Sequence, residues 1–335
     1  MMVWGHIVRS LEGGEPCALV TVATARGSTP RETGARMVVW ADGRFAGTIG
    51  GGTLEFEALR WARQALADGR TGLELRTVSL GPDLGQCCGG RVDVAIEMLE
   101  PGQLSMAAAM ADHEALKLPF VTRAHVRPGR PIEREIIGCA GDAGFRLDDG
   151  GTLFETFGAY RRPLYLFGAG HVGKALILAL APLPFDITWL DSREDVFPAA
   201  VPGNVRKVLL NRQDRSVAEC LAQAPDGAFV LAMTHSHALD EEIMAAGLAR
   251  QRLAYCGVIG SATKRARFEK RLKARGLAPA VVSQMICPVG LPAIRSKHPA
   301  AIAAGIAADL LERDEAAMQK SSRPDRFAWP RARAN

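Results

Sequence analysis

The sequence predicts an α/β protein with an N-terminal mixed α+β domain followed by a Rossmann-like, doubly wound parallel-sheet domain. Three features carry that expectation. At 335 residues the chain exceeds one ordinary hydrophobic core and suits two. In the first half, short apolar runs are joined by hairpin turns. In the second half, strand-like runs alternate with helical ones, which implies parallel crossover connections. The boundaries expected are 1–160 and 161–312, with 313–335, rich in charge, proline and arginine, as a flexible tail.

The elements follow in order. Residues 15–25 (EPCALVTVATA) are apolar and β-branched and read as a buried strand running into the turn Arg26-Gly27-Ser28-Thr29-Pro30. Residues 36–40 and 44–48 bracket Asp42-Gly43, a hairpin signal. Gly50-Gly51-Gly52 precedes a helix from about Leu54 to Ala67, whose first turn carries Glu55 and Glu57 as complements to the helix dipole. Residues 74–80 and 91–98 read as strands flanking Gln86-Cys87-Cys88-Gly89-Gly90, and short runs over 120–160 as continuations of the same sheet. Beyond Arg161-Arg162-Pro163, strands are expected at 164–167, 186–190, 229–233, 254–259 and 284–287, with helices at 172–180 and around 216–223, 240–250, 263–274 and 299–312.

Composition narrows the function. Hydrophobic residues are 48% and charged residues 23%, the balance of a globular protein. Although 41 basic residues exceed 36 acidic ones, aromatics are only 6% and part of the excess lies in the arginine-rich tail, so nucleic acid is not an expected partner. Seven cysteines, without regular spacing or a C-x-x-C pair, argue for a reducing compartment over a disulfide framework. The longest apolar stretch, Ala175–Phe185, is interrupted by two prolines and too short to span a bilayer; no membrane association is expected. No charged segment followed by an apolar one opens the sequence, so a signal peptide is not expected and the cytoplasm is.

The sharpest motif is Gly168-Ala169-Gly170-His171-Val172-Gly173, which follows an apolar strand and opens an apolar helix. Gly168 allows the tight turn, Gly170 lets a phosphate approach the backbone, and Gly173 lets helix and strand pack. Asp191, at the end of the next strand, is placed to accept from ribose hydroxyls. A sheet that kept the turn and lost its ligand is the alternative. Thr234-His235-Ser236-His237, with Asp240, lies past another strand end, where a dehydrogenase would keep its acid or base. H-x-H with a nearby Asp also hints at a metal, but local hydrogen bonding with Asp240 opening a helix is favoured. Lys264 and Arg265 follow Gly257-Val258-Ile259-Gly260-Ser261 in a first helical turn, where cations oppose the dipole. Cys287 reads as a buried thiol.

In the first domain, the turns at 26–31 and 50–53 offer backbone N–H groups for an anion, with Arg31 and Arg36 nearby. Ordinary tight turns are the alternative. Cys87-Cys88, on a glycine loop near arginines, suits a lowered thiol pKa and a role as nucleophile or soft-metal ligand, unless both pack as structural residues.

Six segments stand in an order that resembles the xanthine dehydrogenase accessory protein (XdhC/CoxI-type) family. They are GTIGGG at 47–52, QCCGG at 86–90, FGAGHVG at 167–173, THSH at 234–237, GVIGS at 257–261 with Lys264-Arg265, and CPVGL at 287–291. The resemblance runs from about residue 3 to residue 312. It implies a chaperone, not an enzyme, whose cargo is the molybdenum cofactor (Mo-molybdopterin). Such a protein protects the cofactor, supports its sulfuration with a cysteine desulfurase and delivers it to the molybdenum subunit of xanthine dehydrogenase, commonly as a homodimer. Within it, Cys87 or Cys88 is expected near the molybdenum, and Gly50, Gly51 and Gly52 with Arg31 near the phosphate. The site at Gly168, Gly170, Gly173 and Asp191 would hold the cofactor's phosphate or nucleotide end, NAD(H), or nothing. An NAD(P)-dependent oxidoreductase is the alternative from another class, supported by residues 164–191 and the His loop alone.

Overall fold

Cys17–Arg26 (β1) is buried on both faces from Cys17 to Ala23, because successive side chains of a strand point to opposite sides and each side meets its own core. Ala18, Val20 and Val22 join one core with Ala58, Ala62 and Ala65 of the helix Gly52–Ala67 (α2), whose small residues at helical spacing let it lie close to the sheet. Cys17 and Leu19 join the other core, with Trp4, Ile7 and Leu11 of Trp4–Glu12 (α1) and Met106, Ala107 and Met110 of Leu104–Ala115 (α3). The computed structural model describes residues 3–81, 89–139, 144–158, 160–211 and 216–321. They form two compact units, one ending at Tyr160 and the other spanning Arg161–Ser321.

In the first unit, β1 is the central strand of an antiparallel sheet with Arg36–Trp40 (β2), Phe45–Gly47 (β3), Gly72–Ser79 (β4) and Arg91–Leu99 (β5), in the order β3-β2-β1-β5-β4. The expectation that this sheet continues through 120–160 is corrected. Phe120–His125 (β6), Arg134–Cys139 (β7), Phe145–Leu147 (β8) and Thr152–Phe157 (β9) make a separate antiparallel sheet, ordered β7-β6-β9-β8. The helix α3 intervenes and lets the chain start a new layer. Side chains facing away from α2 on β2 and β5 include Arg36 and Glu97. Arg134 of β7 meets Glu97 Oε1 and Oε2 at 2.5 Å each and Glu155 Oε2 of β9 at 2.5 Å. Arg36 Nη2 reaches Glu155 Oε1 at 3.4 Å. The Arg134 side chain is only 1% exposed.

The second unit is a five-stranded parallel sheet of Arg162–Phe167 (β10), Phe185–Asp191 (β11), Val205–Leu209 (β12), Phe229–Ala232 (β13) and Tyr255–Val258 (β14), ordered β12-β11-β10-β13-β14. His171–Leu180 (α4) and Pro299–Ser321 (α9) cover one face, and Val217–Ala222 (α5), His237–Ala249 (α6), Ala262–Ala274 (α7) and Pro279–Val282 (α8) the other. The strand expected at 284–287 contributes only a single bridge, Ile286 to Gly257. The tail expected from residue 313 is corrected as well, because α9 continues to Ser321. Asp314 anchors it, accepting from Arg162 Nε at 2.6 Å with both side chains buried.

Buried charges stabilise a fold only while every partner is present. Arg134→Ala leaves Glu97 and Glu155 buried and unpaired, and is expected to destabilise the first unit by about 3–5 kcal/mol. Urea unfolding followed at the tryptophans checks this; an unchanged midpoint would remove the network from the fold's foundations.

Candidate functional site

Antiparallel pairing brings three sequence-distant loops to one end of the first sheet. The β1–β2 loop leaves at Arg26, β3 ends at Gly47 and leads to α2, and β5 starts at Arg91, paired with Arg26. Glycines set how closely these loops pack. A Cβ on Gly90 would lie 2.3 Å from Ser28 O, and one on Gly50 would lie 2.4 Å from the Pro30 Cβ. Gly50, Gly51 and Gly52 all have positive φ, at 124°, 72° and 65°. Cys87 and Cys88 lie outside the described residues, while Gly89 and Gly90, which follow them, enter this cluster.

The glycine turn does offer N–H groups, but the protein supplies their anion. Glu55 Oε2 accepts from Thr48 Oγ1 at 2.5 Å, Ile49 N at 3.0 Å and Gly51 N at 3.2 Å. The role foreseen for Glu55, complementing the helix dipole, is thus joined by that of occupying the turn. Arg31 pairs with its neighbour Glu32 at 3.1 Å. Beside the turn lies a cavity of about 290 Å³ whose wall includes Arg31, Arg36, Thr48, Glu114 and Phe157. Glu114 accepts from Val3 N and Trp4 N, each at 2.9 Å, capping α1; burial raises its pKa against the lowering effect of those donors.

In the second unit the chain turns outward in both directions from β10, so the crevice for a ligand opens at the carboxyl ends of β10 and β13. Gly168 and Gly173 are required by the protein itself. A Cβ on Gly168 would lie 2.3 Å from Met233 O, and one on Gly173 2.3 Å from Gly168 O. Trp189 Nε1 donates to Gly168 O at 3.0 Å and fastens the turn. Gly170 differs, since a Cβ there would meet nothing within 4 Å.

Asp191, expected as a ribose acceptor, here serves as a strut of the loop. Its Oδ2 accepts from Ala169 N at 2.7 Å and Arg193 Nη2 at 3.0 Å, and its Oδ1 from Arg193 N and Nε, each at 3.0 Å. The residue is 3% exposed. Burial pushes its pKa up, but the Arg193 guanidinium and the backbone donors outweigh burial and hold it below the usual carboxylate range. The His loop behaves similarly. Ser236 caps α6, and Asp240 accepts from Thr234 N at 3.0 Å, Thr234 Oγ1 at 2.8 Å and Lys264 Nζ at 2.6 Å. Lys264 also donates to Ile259 O at 2.8 Å, so the charge that opposes the α7 dipole has a buried counter-ion. The sequence did not foresee this pair, 24 residues apart. Cys287 is buried as expected, and burial raises its thiol pKa although Lys264 and Arg265 lower it.

Two tests follow from this geometry. Gly168→Ala or Gly173→Ala is expected to lower stability by roughly 3 kcal/mol or more, through overpacking against backbone, whereas Gly170→Ala should stay within about 1 kcal/mol. Thermal denaturation of the three variants checks the ranking. Because Asp191 is held below its unfolded pKa, its contribution is present at neutral pH and is lost as pH falls through the acid range toward its native pKa. Wild-type stability should therefore fall more steeply below pH 4 than that of Asp191→Asn, measured by denaturant unfolding over a pH series.

Comparisons with known proteins bear on both units. The XdhC Rossmann domain profile matches residues 164–310, and that of the XdhC and CoxI family matches residues 10–79. Uncharacterized protein YqeB of Escherichia coli (strain K12) is 29% identical over 319 residues, which is 93% of this chain and 46% of that protein. Molybdenum cofactor insertion chaperone PaoD of the same strain is 34% identical over 102 residues, 30% of this chain and 32% of that one. The chain spans less than half the length of these curated relatives. A crystal structure described as a xanthine dehydrogenase from Bacillus halodurans superposes with a TM-score of 0.74 over 96% of this chain and 98% of its own, at 20% identity, and so shares the fold. The two profiles match in order, one in each unit, so the chain combines a segment like the XdhC and CoxI family with an XdhC-type Rossmann domain.

Proposed function

We propose that this protein is a molybdenum cofactor chaperone whose cargo site is the loop cluster at the end of the first sheet. The observation that carries this reading is the cavity that Arg31, Arg36, Gly47 and Thr48 wall where the β1–β2 loop meets the end of β3. A molybdenum–pterin cofactor presents a phosphate, a planar heterocycle and a metal with soft ligands. Arg31 and Arg36 suit the phosphate, Phe157 is an aromatic neighbour, and Cys87 or Cys88, which lie outside the described residues, suits the metal through a soft thiolate. The resemblance to PaoD, named as a molybdenum cofactor insertion chaperone, supports the same cargo. In this role the chain shields the cofactor, holds it for sulfuration by a cysteine desulfurase and hands it to the molybdenum subunit of xanthine dehydrogenase. It works in the cytoplasm as a homodimer and as a carrier without turnover of its own. Among the described residues no helix is long and apolar enough to cross a membrane.

A second reading, an NAD(P)-dependent oxidoreductase, is favoured by one observation. The space over Gly170 is open at the start of α4, where a dinucleotide phosphate sits in such sheets. Against it, the Asp191 carboxylate is already engaged by four donors.

Protein purified from cells making active cofactor should carry pterin and molybdenum in near-equal amounts, read as fluorescence of the released oxidised pterin and by elemental analysis. Replacing Cys87 or Cys88 by alanine is expected to strip most of the metal in at least one variant. No pterin, together with saturable quenching of NADH fluorescence, would replace the chaperone reading with the oxidoreductase one.

A further inference from the structure

The glycine turn at 50–52 and the cavity beside it differ in one respect that decides where an anion goes. The turn is satisfied, because Glu55 takes the Thr48 hydroxyl and the Ile49 and Gly51 N–H groups. The cavity is not. Arg36, on its wall, has a side chain only 9% exposed. Its Nη1 donates to Thr156 O at 2.8 Å and Gly34 O at 3.4 Å, and its Nη2 to Glu155 at 3.4 Å. The buried Nε has no partner among the described residues. Leaving a buried charged donor unpaired costs about 1–3 kcal/mol or more, so an acceptor that reaches this nitrogen from the cavity recovers that cost.

The guanidinium cannot turn to find another partner. It lies over the Phe157 ring at 4.0 Å, and its other nitrogens are held from β9 and the β1–β2 loop. Arg31, at 39% exposed, has among the described residues only the 73%-exposed Glu32 as its ion-pair partner, an exchangeable pair worth little in water. The other carboxylate on the wall, Glu114, is engaged by the α1 N–H groups.

We propose that this cavity, and not the glycine turn, is an oxyanion subsite for a phosphate monoester, with Arg36 as the buried donor and Arg31 closing over it from the rim. The subsite deepens the chaperone reading by placing the cargo's phosphate, and it rests on that reading only for what the phosphate is attached to. One charge-assisted hydrogen bond from Arg36 Nε and a fork from Arg31 match the tetrahedral oxygens of such a group.

The test titrates inorganic phosphate into the full chain by calorimetry, using wild type, Arg31→Ala and Glu55→Ala. Because Arg36 also belongs to the buried network, the rim residue carries the experiment. Saturable binding is expected, weakened about tenfold by Arg31→Ala, a loss of about 1.4 kcal/mol, and unchanged by Glu55→Ala. Binding indifferent to Arg31→Ala, binding strengthened by Glu55→Ala, or no binding at all overturns the subsite. Pterin content of the same preparations separates the two ideas. Pterin retained while the phosphate result fails leaves the chaperone and removes the subsite; Arg31-dependent phosphate binding without pterin does the reverse.

Discussion

The first unit depends on one guanidinium. Arg134 forks onto Glu97 of the first sheet and reaches Glu155 of the second, and Glu155 in turn accepts from Arg36. Two antiparallel sheets that share the apolar core of Leu19, Val38, Phe120 and Phe157 are thus also tied by a line of four alternating charges. Desolvating such a line is expensive, and apolar packing of the same volume would serve stability as well or better. What the charges add is register, because a slip of one residue in β2, β5, β7 or β9 would point a charged side chain into the wrong layer. Arg36 is both the last member of the line and a wall of the candidate cavity, so the interaction that fixes the sheets also holds a donor in place before any ligand arrives.

In the second unit the analogous constraint is the packing of the glycine fingerprint on itself. Gly168 makes room for Met233 O, Gly173 for Gly168 O, and Asp191 grips the loop through Ala169 N. Most of the motif is therefore explained by the sheet, and only Gly170 keeps a space that no protein atom fills. A fold of this kind constrains where a ligand would bind without stating that one does.

How much was legible in the sequence follows from the range of the forces involved. The apolar, β-branched run over residues 17–25, the Asp42-Gly43 hairpin and the β10–α4–β11 unit are local signals, and each reads directly into its element. The helix α1 was missed although Trp4, Ile7 and Leu11 recur at helical spacing, a signal a closer reading would have found. The strand β12 carries two exposed cations in succession, Arg206 and Lys207, one on each face, and gives little apolar contrast. Glu97, Arg134 and Glu155 could not be paired from sequence, since they are 21 to 58 residues apart and look like ordinary surface charges until two sheets bury them. Sequence also located the glycine turn and the Asp at the end of β11 but not what engages them, because side chains that serve as internal counter-groups are indistinguishable from free ones.

That last failure has a common physical cause. A glycine turn with converging N–H groups is a fixed positive potential, and a chain that must fold before meeting its ligand gains by supplying a carboxylate of its own. Both glycine loops here do so, Glu55 in one and Asp191 in the other, but the two are not equivalent. Asp191 is buried and held by four donors, so a ligand that displaced it would strand a carboxylate and part of the Arg193 fork together. Glu55 is partly exposed and can exchange its donors for water at lower cost. Occupancy of the second loop therefore requires a ligand that works around Asp191. Beside the first, the unsatisfied nitrogen of Arg36 offers an anion a gain at the cost only of the exposed Arg31–Glu32 pair, and the proposed phosphate subsite rests on this difference more than on the number of glycines.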